Sequence, residues 1–67
     1  MNLPQLRQLT GLDWIRRGQH IRSIADPSHT GRITSAGHNR RTVRVRWNTQ
    51  RLQDAGRPTC INNITPL

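Results

Sequence analysis

The chemistry that this sequence can support is carried mainly by guanidinium groups. All 11 of its basic residues are arginines and only three residues are acidic, so the formal net charge is +8. An arginine side chain binds phosphate through two parallel hydrogen bonds and also stacks on nucleobases. A GC-rich genome also favours arginine codons over lysine codons, so the choice of arginine has two explanations. The charge itself, with a sequence pI near 12.0, indicates a nucleic-acid partner.

The run from Arg41 to Trp47 places some of these arginines on a strand. It alternates strictly between apolar and polar residues and contains β-branched and aromatic side chains. Because side chains alternate across a strand, one face of this run is apolar and the other carries Arg44 and Arg46. The apolar face consists of Val43, Val45 and Trp47. The arginines that we expect to contact nucleic acid are Arg16, Arg17, Arg22, Arg32, Arg40, Arg41, Arg44 and Arg46.

Two features of this basic set have an alternative structural interpretation. A sheet face that carries arginines can be a solvated surface that only keeps the protein soluble. Arg16 and Arg17 lie beside Trp14, a mixed patch that could stack on a base, although a tryptophan in so small a domain also serves as core. Trp47 ends the apolar face of its strand, so we expect it in the core.

The histidines have a regular spacing that does not fit a metal site. His20, His29 and His38 recur at nine-residue intervals, and Cys60 is the single cysteine. Structural zinc sites place paired ligands about two to five residues apart. We therefore expect no metal or other cofactor, and we interpret the histidines as surface or phosphate-contacting groups.

Few residues in the chain are suited to catalysis. The sequence contains no glutamate, and Asp26 and Asp54 lie where turn formers are expected. Asp13 is placed to pair with Arg16 or Arg17, and Cys60 has no base beside it in the sequence. We therefore expect no enzymatic activity.

The single cysteine and the distribution of apolar residues indicate a cytoplasmic protein. One cysteine provides no disulfide framework, whereas a domain this small in an oxidising compartment is normally held by disulfides. Residues 1–7 contain no apolar run of signal-peptide length. No stretch approaches the roughly 20 apolar residues of a membrane span, so we expect no membrane contact.

With 67 residues, the chain is long enough for one domain, assigned to residues 14–67, preceded by an N-terminal arm at residues 1–13. The arm carries Leu3, Leu6 and Leu9 at three-residue spacing, and Pro4 near its start is compatible with one or two helical turns. The alternative is an irregular arm that is ordered only by the packing of its leucines. A second short helical turn at residues 12–17 would end at Gly18.

After Gly18 the pattern changes to strands and turns. Strands are predicted at residues 19–25, 32–36, 40–47 and 59–61, and turns at residues 26–29, 37–39 and 54–56. Residues 62–67 are expected to include a 3₁₀ turn that buries Ile64 and Leu67. Short strands separated by turns every eight to twelve residues or so predict a small all-β barrel or meander.

This layout resembles the small SH3-like barrels, including the KOW and Tudor-like groups. Residues 14–22 (WIRRGQHIR) are similar to the segment that leads into their first long strand, and residues 26–33 (DPSHTGRI) to the KOW turn. Residues 43–47 (VRVRW) are similar to the third strand, and residues 64–67 (ITPL) to the closing 3₁₀ turn and last strand. The resemblance implies a closed barrel of four to five strands. Its members bind nucleic acid, contact ribosomes or polymerases, or act as protein adaptors.

The sequence therefore predicts a small basic module that contacts the phosphates of DNA or RNA through an arginine-rich sheet face, with little base readout. We expect a monomer or a homodimer. The alternative is an adaptor or inhibitor, of a phage or plasmid accessory type, that docks on a nucleoprotein complex or another acidic partner. In that case Leu3, Leu6 and Leu9 would form the partner-binding surface or a homodimer contact.

Overall fold

The computed structural model describes residues 1–48 and 58–67, which form a mainly β structure of one antiparallel five-stranded sheet and one short helix. The elements in chain order are α1 (Leu3–Thr10), β1 (His20–Ser23), β2 (Thr30–Ala36), β3 (Thr42–Trp47), β4 (Thr59–Cys60), a 3₁₀ turn (Ile61–Asn63) and β5 (Ile64–Pro66). The turn predicted at residues 54–56 lies outside the described residues.

The sheet has the strand order β4-β3-β2-β1-β5. Two consecutive hairpins join β1, β2 and β3, and the two shortest strands lie at the edges, where β4 pairs with β3 and β5 pairs with β1. Within the described ranges, β4 and β5 do not pair with each other. The all-β prediction is therefore confirmed in the sense of a mainly β fold, but the prediction of a closed barrel is wrong, because the sheet is open.

The N-terminal segment is helical, which is one of the two predicted alternatives. Asn2 caps α1 because its side-chain oxygen accepts a 2.9 Å hydrogen bond from the Gln5 backbone N–H. The Gln5 side chain accepts one of the same length from the Asn2 backbone N–H, which completes a capping box. Gly11, in the left-handed conformation, ends the helix. The predicted second helical turn does not form, since residues 12–17 contain only turns and irregular backbone.

One face of the sheet and one side of α1 enclose the core. The alternation predicted for β3 is observed, since Val43 is buried between two more exposed neighbours, and β1 shows the same pattern around buried Ile21. Trp14 and Trp47 are partly buried and pack against this core. The buried apolar residues of the described segments are Leu3, Leu6, Ile15, Ile21, Ile33, Val43, Ile61 and Ile64.

The C-terminal residues follow the prediction only in part. Ile64 is buried, but Leu67 is 65% exposed, so the prediction that Leu67 is buried is wrong. Pro66 pairs with Ile21, and the Leu67 backbone N–H donates a 3.0 Å hydrogen bond to the His20 carbonyl. Leu67 therefore falls opposite His20, on the outer face of the sheet.

The hairpin of β2 and β3 depends on a close approach at Gly31. This residue pairs with Trp47, and a Cβ at position 31 would lie 2.6 Å from the Arg46 carbonyl oxygen and 2.9 Å from a Val45 methyl carbon. Both distances are below normal contact, so only glycine fits without displacement of β3. Gly31 thereby maintains the register in which Arg32 lies opposite Arg46.

Candidate nucleic-acid interface

The outer face of the sheet carries a row of basic side chains on three adjacent strands. His20 on β1 pairs with Arg32 on β2, and Arg32 pairs with Arg46 on β3. Directly paired residues project to the same face of a sheet, and neighbouring strands lie about 4.8 Å apart. The row therefore crosses the strands at right angles, and all three side chains are exposed.

Two further arginines flank this row. Arg22 lies on β1 two residues after His20, and Arg44 lies on β3 two residues before Arg46, so both belong to the outer face. Arg44 and Arg22 are exposed. The register of β2 shifts beside Arg44, whose carbonyl oxygen accepts a 3.1 Å hydrogen bond from the Thr34 hydroxyl.

The loop before β1 contributes a fifth arginine. The Gly18 N–H donates to the Ile33 carbonyl over 2.8 Å, and the Ile33 N–H donates to the Gln19 carbonyl over 3.1 Å, so this loop runs along β2. Gly18 has a φ of 83°, in the region that favours glycine. Arg17 donates from Nε to the Thr34 carbonyl over 3.2 Å, which engages only one of the five N–H donors of its guanidinium group.

We call these five exposed residues the arginine face: Arg17, Arg22, Arg32, Arg44 and Arg46. Three of them surround a shallow depression of about 310 Å³, which we call the notch. The residues that line the notch are Arg17, Gly18, Arg32, Ile33, Thr34 and Arg46. The arginine face thus combines a charged surface with a small concave site.

No carboxylate in the described part of the chain neutralises the arginine face. Within residues 1–48 and 58–67, none of its five guanidinium groups takes part in an ion pair. The Asp26 carboxylate stabilises its own turn, where it accepts hydrogen bonds from the Ser28 N–H and hydroxyl at 3.2 and 2.6 Å. Clustered charges of one sign raise the local potential and attract polyanions.

The other three predicted arginines do not join this face. Arg16 donates from Nε to the Asp13 backbone carbonyl over 2.9 Å, which differs from the predicted pairing of Arg16 or Arg17 with the Asp13 side chain. Arg40 and Arg41 are exposed in the turn before β3, at the C-terminal end of α1. They border a second depression of about 570 Å³, which we call the helix-end groove. It is lined by Leu9, Thr10, Leu12, Arg40, Arg41, Ile61 and Asn62.

The three leucines predicted as a partner-binding surface have different environments. Leu3 and Leu6 are buried in the core, so neither side chain is available as the partner-binding surface of the alternative function. Leu9 is 56% exposed and lines the helix-end groove. A three-residue step falls short of a helical turn of 3.6 residues, so each leucine is rotated relative to the previous one, and by Leu9 the helix surface has turned away from the core.

Arg7 lies near the arginine face, although it was not among the arginines predicted from the sequence. Its Nη1 donates a 2.9 Å hydrogen bond to the Ile15 carbonyl, which ties α1 to the loop before β1. Arg7 also lines a depression of about 470 Å³ that shares Arg17 and Thr34 with the notch. The available signal was the four-residue spacing from Leu3, which places Arg7 on the inward side of the helix.

The histidines occupy three different environments. His20 belongs to the outer row, and exposed His38 lies in the loop between β2 and β3. His29 is buried and stacks on Trp47, with ring centroids 4.1 Å apart and an interplanar angle of 29°. Among the described residues, no three His, Cys, Asp or Glu side chains gather in a way that could hold a metal ion.

Comparisons with protein-family models, curated proteins and solved structures give no match. The function is therefore inferred from the residues and geometry described above. In the described segments, no helix is long and apolar enough to cross a membrane.

Proposed function

We propose that this protein is a small basic module that binds nucleic acid by contacting phosphates with the arginine face. The observation that carries the proposal is the pairing of His20, Arg32 and Arg46 across three strands. Arg17, Arg22 and Arg44 surround this row, and none of these three guanidinium groups forms an ion pair within residues 1–48 and 58–67. Guanidinium groups held at strand spacing present many N–H donors to a phosphate backbone.

Binding through this face is mainly electrostatic, so it depends on salt. If about four phosphates are neutralised, the logarithm of the association constant falls with the logarithm of salt with a slope of about −3.6 for duplex DNA and about −2.8 for a single strand. Phosphate contacts position a protein on nucleic acid but carry no sequence information. Little sequence preference is therefore expected.

We also propose that the open sheet belongs to the SH3-like group. The 3₁₀ turn at Ile61–Asn63 is followed by β5, which returns to pair with β1. The resemblance implies this order of turn and strand, although it placed both within residues 64–67. The three-stranded meander and the short edge strands support the same assignment. This group includes both nucleic-acid binders and protein adaptors, so the fold alone does not decide the function.

The proposal is tested by fluorescence anisotropy titrations of labelled duplex DNA, single-stranded DNA and RNA at several salt concentrations. Micromolar or tighter binding at low salt, with a slope near the values above, supports the arginine face. Absence of binding to every nucleic acid at low salt overturns the proposal, because a protein of net charge +8 with a usable basic face binds polyanions under those conditions.

A second candidate function is suggested by the helix-end groove. Exposed Leu9 lies there beside Arg40 and Arg41, and an apolar residue next to two cations suits an acidic partner protein better than a phosphate backbone. In this alternative function the protein is an adaptor or inhibitor that docks on a protein or nucleoprotein partner. A partner complex that is lost in Leu9→Gln but retained in Arg32→Ala/Arg46→Ala would favour it over the first proposal.

A further inference from the structure

The notch is a concave site, and contacts to phosphates alone do not require a concave site. Gly18 leaves open space at its position, since a Cβ there would meet no atom within 4 Å. Ile33, exposed Thr34 and three arginines also line the notch. A volume of about 310 Å³ lies at the small end of the usual range for ligand sites, roughly 300–1,000 Å³. It suits one planar group rather than a folded peptide.

The planar partners available at the notch are guanidinium groups rather than aromatic rings. The sequence has no Phe or Tyr, and both tryptophans pack against the core. Arginine replaces an aromatic ring in this role, because a guanidinium plane stacks on an unpaired base. Arg17, Arg32 and Arg46 all line the notch, so a base that enters it lies beside arginines whose guanidinium groups can stack on it.

The two forms of nucleic acid would use this surface differently. The bases of a duplex are already paired and stacked, so a duplex offers phosphates to the guanidinium groups but no free base to the notch. A single strand offers both. We infer that the notch receives an unpaired nucleobase, which makes single-stranded nucleic acid the preferred ligand of the arginine face. This inference rests on the proposed function and specifies its ligand.

The direct test compares two strands that differ only in their bases. Binding is measured by anisotropy for a uniform single strand of about 12 nucleotides, within the site sizes of small single-strand-binding folds, and for a strand of the same length in which every nucleotide is abasic. The two strands carry the same number of phosphates. We expect the abasic strand to bind about tenfold more weakly, since stacking of one base contributes this order of affinity.

The outcomes separate the inference from the proposed function. Equal affinity for the two strands overturns the inference and leaves phosphate binding by the arginine face intact. Failure of both strands and of a duplex to bind at low salt overturns the proposed function itself. Tighter binding to duplex than to the base-bearing strand also contradicts the inference.

A matched pair of variants tests whether the preference for the base-bearing strand depends on the notch. Thr34→Leu adds apolar bulk to the wall without a change in charge, and Thr34→Ser retains the hydroxyl that bonds to the Arg44 carbonyl. We expect Thr34→Leu to abolish the difference in affinity between the base-bearing strand and the abasic strand. Thr34→Ser should retain that difference. Circular dichroism melting confirms that both variants fold, and unchanged single-strand binding by folded Thr34→Leu contradicts the assignment.

Discussion

The protein has two arginine-bearing regions that resemble each other in composition but differ in construction. On the arginine face, Arg32 and Arg46 are distant in sequence and adjacent across paired strands. In the helix-end groove, Arg40 and Arg41 are consecutive residues of a turn that borders the end of α1. Both are exposed and strongly basic. Only the first arranges its charges at the regular spacing of a sheet.

This difference shows how a strand arranges charged side chains at regular positions on one surface. Alternation places every second residue on the same face, so Arg44 and Arg46 act together with residues of the neighbouring strands. Consecutive residues such as Arg40 and Arg41 do not share a face in this way. The arginine face is built from arginines alone, whereas the helix-end groove also includes Leu9 and Ile61. The same residue type thus forms a charged sheet surface in one place and a mixed apolar and basic surface in the other.

The largest effect is expected from Leu6→Ala, which tests whether the helix that borders the helix-end groove belongs to the common core. Leu6 is completely buried, so its truncation should lower the free energy of unfolding by about 2–5 kcal/mol. Leu9→Ala, three residues along the same helix, is the control. It should change the stability by less than about 0.5 kcal/mol. Urea denaturation followed by circular dichroism measures the free energy of unfolding of both variants. Equal losses of stability would contradict the different burial of Leu6 and Leu9.

A smaller effect on stability is expected from Gly31→Ala, which disturbs the pairing of β2 and β3 that carries Arg32 and Arg46. The added methyl group would collide with the Arg46 carbonyl and a Val45 methyl group, and overpacking of this kind costs about 1–3 kcal/mol. Because β3 must move relative to β2, nucleic-acid affinity should also fall in the folded variant, although no charge is lost. Gln8→Ala, on the exposed side of α1, is a control that should leave both properties unchanged. A Gly31→Ala protein with unaltered stability would show that the strands do not approach as closely as described.

Most strands could be predicted from the sequence because their patterns are local. The alternation of Val43, Arg44 and Val45 correctly assigned the two faces of β3, and the turn residues at 26–29 separated β1 from β2. Asn2 and Gly11 explain why α1 begins and ends where it does, although the leucine spacing alone left helix and irregular arm equally open. The prediction of a closed barrel was wrong because closure requires the two edge strands, β4 and β5, to pair with each other. No local sequence pattern indicates whether they do.

The candidate site was less predictable for the same reason. Its arginines were named from their strands, but the pairing of Arg32 with Arg46 depends on the close approach at Gly31. Arg17 belongs to the site because its side chain donates a hydrogen bond to the Thr34 carbonyl, a contact between residues that are 17 positions apart in the sequence. The separation of Arg40 and Arg41 from the other arginines follows from where α1 packs, which sequence spacing does not reveal.

The central claim is tested most directly by two variants of equal charge, Arg32→Ala/Arg46→Ala and Arg40→Ala/Arg41→Ala. Each lacks two arginines, and each is titrated with the same labelled single strand at low salt after its fold has been checked by circular dichroism. Loss of a phosphate contact costs about tenfold at low salt, so the first variant should bind about a hundredfold more weakly, whereas the second should lose less than about threefold. Equal losses in the two variants would mean that net charge alone drives binding, and would contradict the assignment of the arginine face.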